Sequence, residues 1–265
     1  MSAVSIDPGR AGPDASTLSM AAKAALVLAA FSGGPGSARC SELAHRTGLS
    51  LSCVHRIVKE LVEQGLLERR GYEVLLGLKM FELGARTQRP HEVRRLALTT
   101  MVDLHRATGR PVQLSVLEGR EVLVVEALSG PSRRPGVPQA GDRLPAHATA
   151  AGKAMLARYP AEWLSLYLRS PLERAGPRTI TSGTALDREL DGVRAHGTAW
   201  DLQESGPGLS AVAAALRRAD GLPVGALSIT GPAGAPPTPR AATALQAAAE
   251  DLNRRLRTDP HLVSP

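Results

Sequence analysis

With 265 residues and a formal net charge of +7, the chain is long enough for two domains with separate cores and is biased toward polyanionic partners without naming one. Its two cysteines, Cys40 and Cys53, make no CxxC pair, zinc-ligand set or disulfide framework, which points to a reducing, cytoplasmic setting. The first residues lack the basic start and apolar core of a secretory signal, and the apolar run at 24–31 is far too short to cross a bilayer, so a soluble protein is expected.

Residues 1–16 are small, Pro/Gly-containing and aperiodic, as in a disordered tail. Ser19 is placed to cap a helix over 20–31 that offers Leu26, Val27 and Ala30 for packing. Ser32-Gly33-Gly34-Pro35-Gly36 ends it. A short extended piece at 37–39 leads into SELAHRTGLSLSCVHRIVKELVEQ, residues 41–64. This stretch predicts one helix over 41–47, capped by Ser41, and a second over 51–64, capped by Ser50. Between them Gly48 suits a left-handed turn position that a Cβ would resist. Leu43, Leu49, Val54 and Ile57 can close a small core, with Ala44 where the helices cross. The face left outside carries Ser52, Cys53, His55, Arg56 and Lys59, polar and basic with no nearby acid, which suits a groove lined by phosphates.

Residues 66–75 read as a strand, a tight turn at Arg70-Gly71 and a return strand, a basic-tipped wing. A helix pair followed by such a hairpin is a winged helix-turn-helix, and its leading implication is DNA binding. Helical periodicity resumes at 78–83 and 92–108, with Pro90 between them, so two helices or one kinked helix form a linker. The stripe Val93, Leu96, Ala97, Thr100, Met101 and Leu104 is expected to pack on the following domain or on a second subunit. Alternation over 112–117 and 121–128, about the turn Glu118-Gly119-Arg120, predicts a hairpin. After a Pro/Gly/Arg-rich loop, a loop-to-helix stretch covers 144–157, helices 161–168 and 186–196, and a strand 198–202. An antiparallel pair follows at 210–216 and 223–229, then a last helix at 238–258. The result is an α+β chain: tail 1–16, winged head 17–78, helical linker 79–107, a domain with a central antiparallel sheet at 108–258, and a tail 259–265.

These residues resemble the isocitrate-lyase-regulator (IclR-type) transcription factors, from Met20 to about Arg257. GLSLSCVHRIVKELVEQGLLER is similar to the family's recognition-helix segment, YEVLLGLKMFELG to its wing and linker, and TGRPVQLSVLEGREVLVVEAL to the start of its effector domain. RLPAHATAAGKAMLA, LDRELDGVRAHGTAWDLQE and GLSAVAAALRRADGLPVGALSITGP complete the series in order. The resemblance implies a GAF-like effector domain that holds a small, often acidic or aromatic, metabolite. It also implies a homodimer or homotetramer acting, in many cases as a repressor, on a palindromic operator in double-stranded DNA.

Carried over residue by residue, Ser52, His55 and Arg56 match the recognition-helix pattern, while Leu51 and Cys53 depart from it. Arg70 on the wing is assigned to a phosphate. In the effector domain Leu144 matches an apolar wall, and Ala150 and Ala151 match small loop residues whose N–H groups near a helix start suit a carboxylate. Asp201 matches an acidic position, and Ser228 with Thr230 matches a pair of hydroxyls on the final strand. Ala211 stands where many members have cysteine, which leaves a roomier pocket.

Ala150-Ala151-Gly152-Lys153 lacks the glycine and the hydroxyl of a phosphate-binding loop, since His147 and Ala154 occupy those places. No hydrolase or metalloprotease signature accompanies His147, whose expected role is a structural hydrogen bond. No catalysis, cofactor or metal is expected. The alternative is a metabolite-binding enzyme or sensor that uses the head as a protein-interaction module.

Overall fold

The computed structural model describes residues 18–32, 36–130 and 136–258, and the expected tails at 1–16 and 259–265 lie outside them. The chain divides into two compact units between Thr87 and Gln88.

In the first unit, helix α1 (Met20–Ala29) is capped by Ser19, whose hydroxyl accepts the Ala22 N–H at 3.2 Å. Strand β1 (Ser37–Arg39) runs directly into α2 (Cys40–Thr47). The cap of α2 differs from the sequence expectation: Ser41 falls inside the first turn, and the Glu42 carboxylate reaches back to accept the Arg39 N–H at 3.0 Å. Gly48 ends α2 at φ 69°. Helix α3 (Leu51–Glu63) then starts on Ser50, whose hydroxyl accepts the Cys53 N–H at 3.3 Å.

Val54, Ile57, Val58 and Leu61 turn inward to meet Val27, Leu43 and Leu49, so three helices share one apolar centre. Strands β2 (Leu67–Arg70) and β3 (Glu73–Leu76) make the wing. Its turn is Gly71-Tyr72, one residue later than expected, with Gly71 at φ 60°. β1 pairs on the other side of β3, giving the sheet order β1-β3-β2. Helix α4 (Leu78–Gly84) closes the unit.

The second unit opens on helix α5 (Gln88–Thr108). The break between α4 and α5 falls before Pro90, which lies in the first turn of α5, where a missing N–H costs no helical bond. The strands are β4 (Val112–Glu118), β5 (Glu121–Leu128), β6 (Arg143–Pro145), β7 (Ala199–Leu202), β8 (Leu209–Arg217) and β9 (Pro223–Pro232). They form one antiparallel sheet in the order β6-β5-β4-β9-β8-β7.

Alternation sends Val112, Leu114, Val212, Leu216, Leu227 and Ile229 to one face. There they pack on the α5 stripe and on the last helix, α9 (Pro239–Thr258). The opposite face is lined with smaller residues, among them Ala213, Ala215 and Ala226. It is covered by α6 (Ala150–Leu156), α7 (Ala161–Arg169) and α8 (Gly183–His196). Gly152 permits that cover: a Cβ there would stand 2.0 Å from the Ala146 carbonyl oxygen.

Candidate nucleic-acid interface and effector site

In the first unit, α3 separates its residues cleanly by face. Val54, Ile57, Val58 and Leu61 are buried, while Ser52, His55, Arg56 and Lys59 are exposed. Cys53 is half-buried against the core, so it offers less to a groove than its neighbours. The expectation of a helix face without nearby acid fails at Lys59, which lies 3.9 Å from Glu63, one turn along the helix. On the wing, Arg70 lies 2.9 Å from Glu68. Both pairs are exposed, and such pairs are worth only about 0–1 kcal/mol, so a phosphate can replace the carboxylate at little cost. Arg56 donates to the Met20 sulfur at 3.2 Å, which links the outer face of α3 to the start of α1. Tyr72, at the wing tip and 91% exposed, was not singled out from sequence.

In the second unit, the residues selected from sequence gather on the alanine-rich face of the sheet. Asp201 on β7 pairs across to Ala211 on β8, and Ala211 pairs to Thr230 on β9. This row is about 10 Å wide, two strand spacings. Ser228 sits one step along β9, opposite both Ala213 and Gln113. Leu144 on β6 is half-buried on the same face at the far edge, paired with Val122. Ala150 and Ala151 occupy the first turn of α6 and are buried above the sheet. Thr149 caps that turn by accepting the Gly152 N–H at 3.0 Å.

Asp201 is buried, with 3% of its surface exposed. Its Oδ1 accepts the backbone N–H of Glu204 at 2.7 Å and that of Ser205 at 3.3 Å, and its Oδ2 accepts the Ser205 hydroxyl. It therefore holds the loop after β7 in place. Burial pushes its carboxyl up, and those hydrogen bonds and the nearby Lys153 pull it back down.

Two groups of polar residues escaped the sequence reading. Lys153 is wholly buried, its ammonium 2.7 Å from Glu204 and 3.0 Å from Glu189, so it ties α6 to α8 and to the loop after β7. Burial raises the Glu204 carboxyl, against the pull of Lys153. Gln113 on β4, 2% exposed, accepts hydrogen bonds from the Ser228 hydroxyl at 3.2 Å and the Thr230 hydroxyl at 3.0 Å. A lysine after glycine and a glutamine in an alternating strand were the only local signals for either group. His147 behaves as expected of a structural residue: buried, with Nε2 2.9 Å from the Glu173 carbonyl oxygen, its imidazole pushed down by burial.

The helix-turn-helix model of this regulator family matches residues 20–71, and the model for the C-terminal part of bacterial IclR transcriptional regulators matches residues 86–254. The chain belongs to the IclR family. Like other IclR-family regulators it has a helix-turn-helix DNA-binding head and an effector-binding C-terminal domain, and its homologues are transcriptional regulators, not enzymes. It is 32% identical to the glycerol operon regulatory protein of Streptomyces coelicolor over 211 residues, which covers 79% of this chain and 83% of that protein. It is 31% identical to the transcriptional repressor AllR of Klebsiella pneumoniae over 202 residues, covering 75% of this chain and 74% of the repressor.

Among solved structures it resembles an IclR homologue from Microbacterium hydrocarbonoxydans in complex with 4-hydroxybenzoate. The TM-score is 0.80 at 30% identity, over 91% of this chain and all of that one. The Thermotoga maritima IclR matches at a TM-score of 0.72 and 30% identity, over 89% of this chain and 98% of that one. Among the described residues no helix is long and apolar enough to cross a membrane.

Proposed function

We propose that this IclR-family chain acts as a cytoplasmic homodimer or homotetramer, reads a palindromic operator through α3, and changes its operator binding when a small organic acid or aromatic metabolite occupies the second unit. In domain terms, residues 17–78 form the head, 79–107 the linker and 108–258 a GAF-like effector domain. The observation that carries the reading is the sorting of α3, which buries its apolar stripe and leaves Ser52, His55, Arg56 and Lys59 outward on a capped, well-anchored helix. In this reading these residues and Cys53 face the major groove, and Arg70 rides a phosphate. Repression is the mode favoured by the naming of AllR, to which the chain is similar.

The effector is held between α6 and the sheet. Leu144 forms an apolar wall, Ala150, Ala151 and Ala211 leave room, and Asp201, Ser228 and Thr230 supply polarity. The co-crystallised 4-hydroxybenzoate in a structural neighbour supports a ligand of that size. Binding changes the relative orientation of the heads, and so their fit to half-sites about one helical turn apart or a multiple of it, with a coupling of about 1–3 kcal/mol.

The test is selection and sequencing of genomic fragments by the purified protein near physiological salt, with the Arg56→Ala variant beside it. An inverted repeat shared by wild-type fragments and lost with Arg56→Ala is expected. Diffuse, salt-labile binding by both proteins, unaltered by a metabolite extract, would sink the proposal.

A further inference from the structure

The second unit contains a buried polar cluster whose hydrogen bonds do not close. Gln113, Ser228 and Thr230 are 2%, 6% and 4% exposed and lie on the sheet face that also presents Ala211 and Ala213. Both hydroxyls donate to one atom, Gln113 Oε1, at 3.2 and 3.0 Å. That spends both hydroxyl hydrogens and leaves Ser228 Oγ and Thr230 Oγ1 with only lone pairs to offer. Gln113 Nε2 is buried and has no hydrogen-bond partner, so two N–H donors are also left over. Leaving a buried polar group unsatisfied costs about 1–3 kcal/mol, so three inward residues with one open donor site mark a place meant to be completed.

We propose that Gln113 determines the specificity of the effector site. With Ser228 and Thr230 it forms a mixed donor–acceptor pair that selects a ligand whose inner end is a neutral hydroxyl, phenolic or alcoholic, over one that ends in a carboxylate. The inference rests on the effector-site reading above and adds the chemistry of the ligand's inner end. A hydroxyl accepts from Gln113 Nε2 and donates to a Ser228 or Thr230 lone pair, so the open donor site and the ligand's own hydrogen both find partners. A carboxylate has no hydrogen to give and would face those lone pairs. The preference follows from the amide orientation in which Oε1 accepts both hydroxyl hydrogens. With the amide turned over, both hydroxyl hydrogens would face the ligand and favour a carboxylate, so a carboxylate-first ranking would report that orientation and refute the selectivity. Any acidic group on the ligand is thereby assigned to its other end, away from β4 and β9.

The experiment uses the full chain and a panel of shape-matched benzoates that carry hydroxyl, methyl or carboxylate at the para position. Calorimetry measures binding to wild type, Gln113→Leu, Thr230→Val and Ala211→Trp, with circular dichroism as a check on folding. Wild type is expected to take the hydroxyl member about tenfold or more tighter than the other two, the worth of one satisfied hydrogen bond. Gln113→Leu should erase that preference. Thr230→Val, which keeps the shape and removes one hydroxyl, should reduce it and serves if Gln113→Leu does not fold. Ala211→Trp places a bulky side chain over the row and should abolish binding.

Binding blocked by Ala211→Trp but ranked the same with and without the Gln113 amide would overturn the specificity proposal and leave the effector site standing. Binding indifferent to Ala211→Trp would overturn both. A carboxylate-first ranking in wild type, or no binding by the hydroxyl member, would also overturn it.

Discussion

The fully buried ammonium of Lys153 gives the sharpest stability test. It lies between Glu204, 9% exposed, and Glu189, 39% exposed. Replacing it by Met keeps the volume and removes the charge. Glu189 can return to water, so the loss falls on Glu204, whose second carboxylate oxygen is already without a partner. Breaking a buried pair from one side costs about 3–5 kcal/mol. The low end applies here, because Glu204 can take a proton and burial already favours its neutral form.

About 3 kcal/mol in a unit of this size lowers the melting midpoint by roughly 6–12 °C. Urea denaturation at pH 7.5 should show the loss for Lys153→Met and at least half of it regained in Lys153→Met/Glu204→Gln. The sign with pH follows from Glu204, whose folded-state pKa is raised. Its neutral form is native-compatible below the ordinary carboxylate range, and stability falls as pH rises through the raised value. The deficit of Lys153→Met should therefore shrink as pH is lowered toward 5. A single variant as stable as wild type, or a double no better than the single, would refute this account of the cluster.

Three further outcomes are expected. His147 is held neutral by burial, below its ordinary 6.5, so it adds stability as pH rises from its folded-state value to about 6.5 and nothing more above that. Asp201 and Glu204 slope the other way, and subtracting the denaturation midpoints of His147→Gln from those of wild type between pH 5 and 7.5 isolates the histidine; a flat difference would count against it. Gly152→Ala drives a Cβ to 2.0 Å from the Ala146 carbonyl oxygen, so more than about 4 kcal/mol should be lost, and an unaltered thermal melt would contradict the packing. Arg70→Ala should lower the slope of log binding constant against log salt by about one while leaving sequence preference intact, and an altered preference would place Arg70 on a base.

The head was legible because its signals are local. Ser50, Gly48 and the spacing of Val54, Ile57, Val58 and Leu61 act within a few residues, and each does in the fold what its pattern indicated. The small misplacements have physical causes. Ser41 lost the cap of α2 because β1 pairs with β3 up to Arg39, so the helix starts a residue early and Glu42 makes the cap. The wing turn slipped to Gly71-Tyr72 because Arg70 pairs with Glu73.

In the second unit the strands were readable by alternation, but the partners of their polar residues were not. Gln113 meets Ser228 and Thr230 across 115 and 117 residues, and Lys153 meets Glu204 across 51. No window along the chain contains both ends of such a contact. Asp201 was placed on its strand correctly, yet only the fold reveals that its oxygens are taken by the turn that follows.

The centre of the six-stranded sheet is the seam between β4 and β9, and it sets an order of assembly. The β4–β5 hairpin is complete by Leu128, whereas β9 ends at Pro232. At roughly 5–20 residues per second on a ribosome, the early hairpin waits about 5–20 s for its central neighbour. Throughout that interval Val112 and Leu114 lack the neighbouring strand whose Ile229 and Leu227 pair beside them, and long-range closure of this kind is slow and exposed to aggregation. The hydroxyls of Ser228 and Thr230 arrive on that last strand. A ligand that completed their cluster would bind only chains whose sheet has closed.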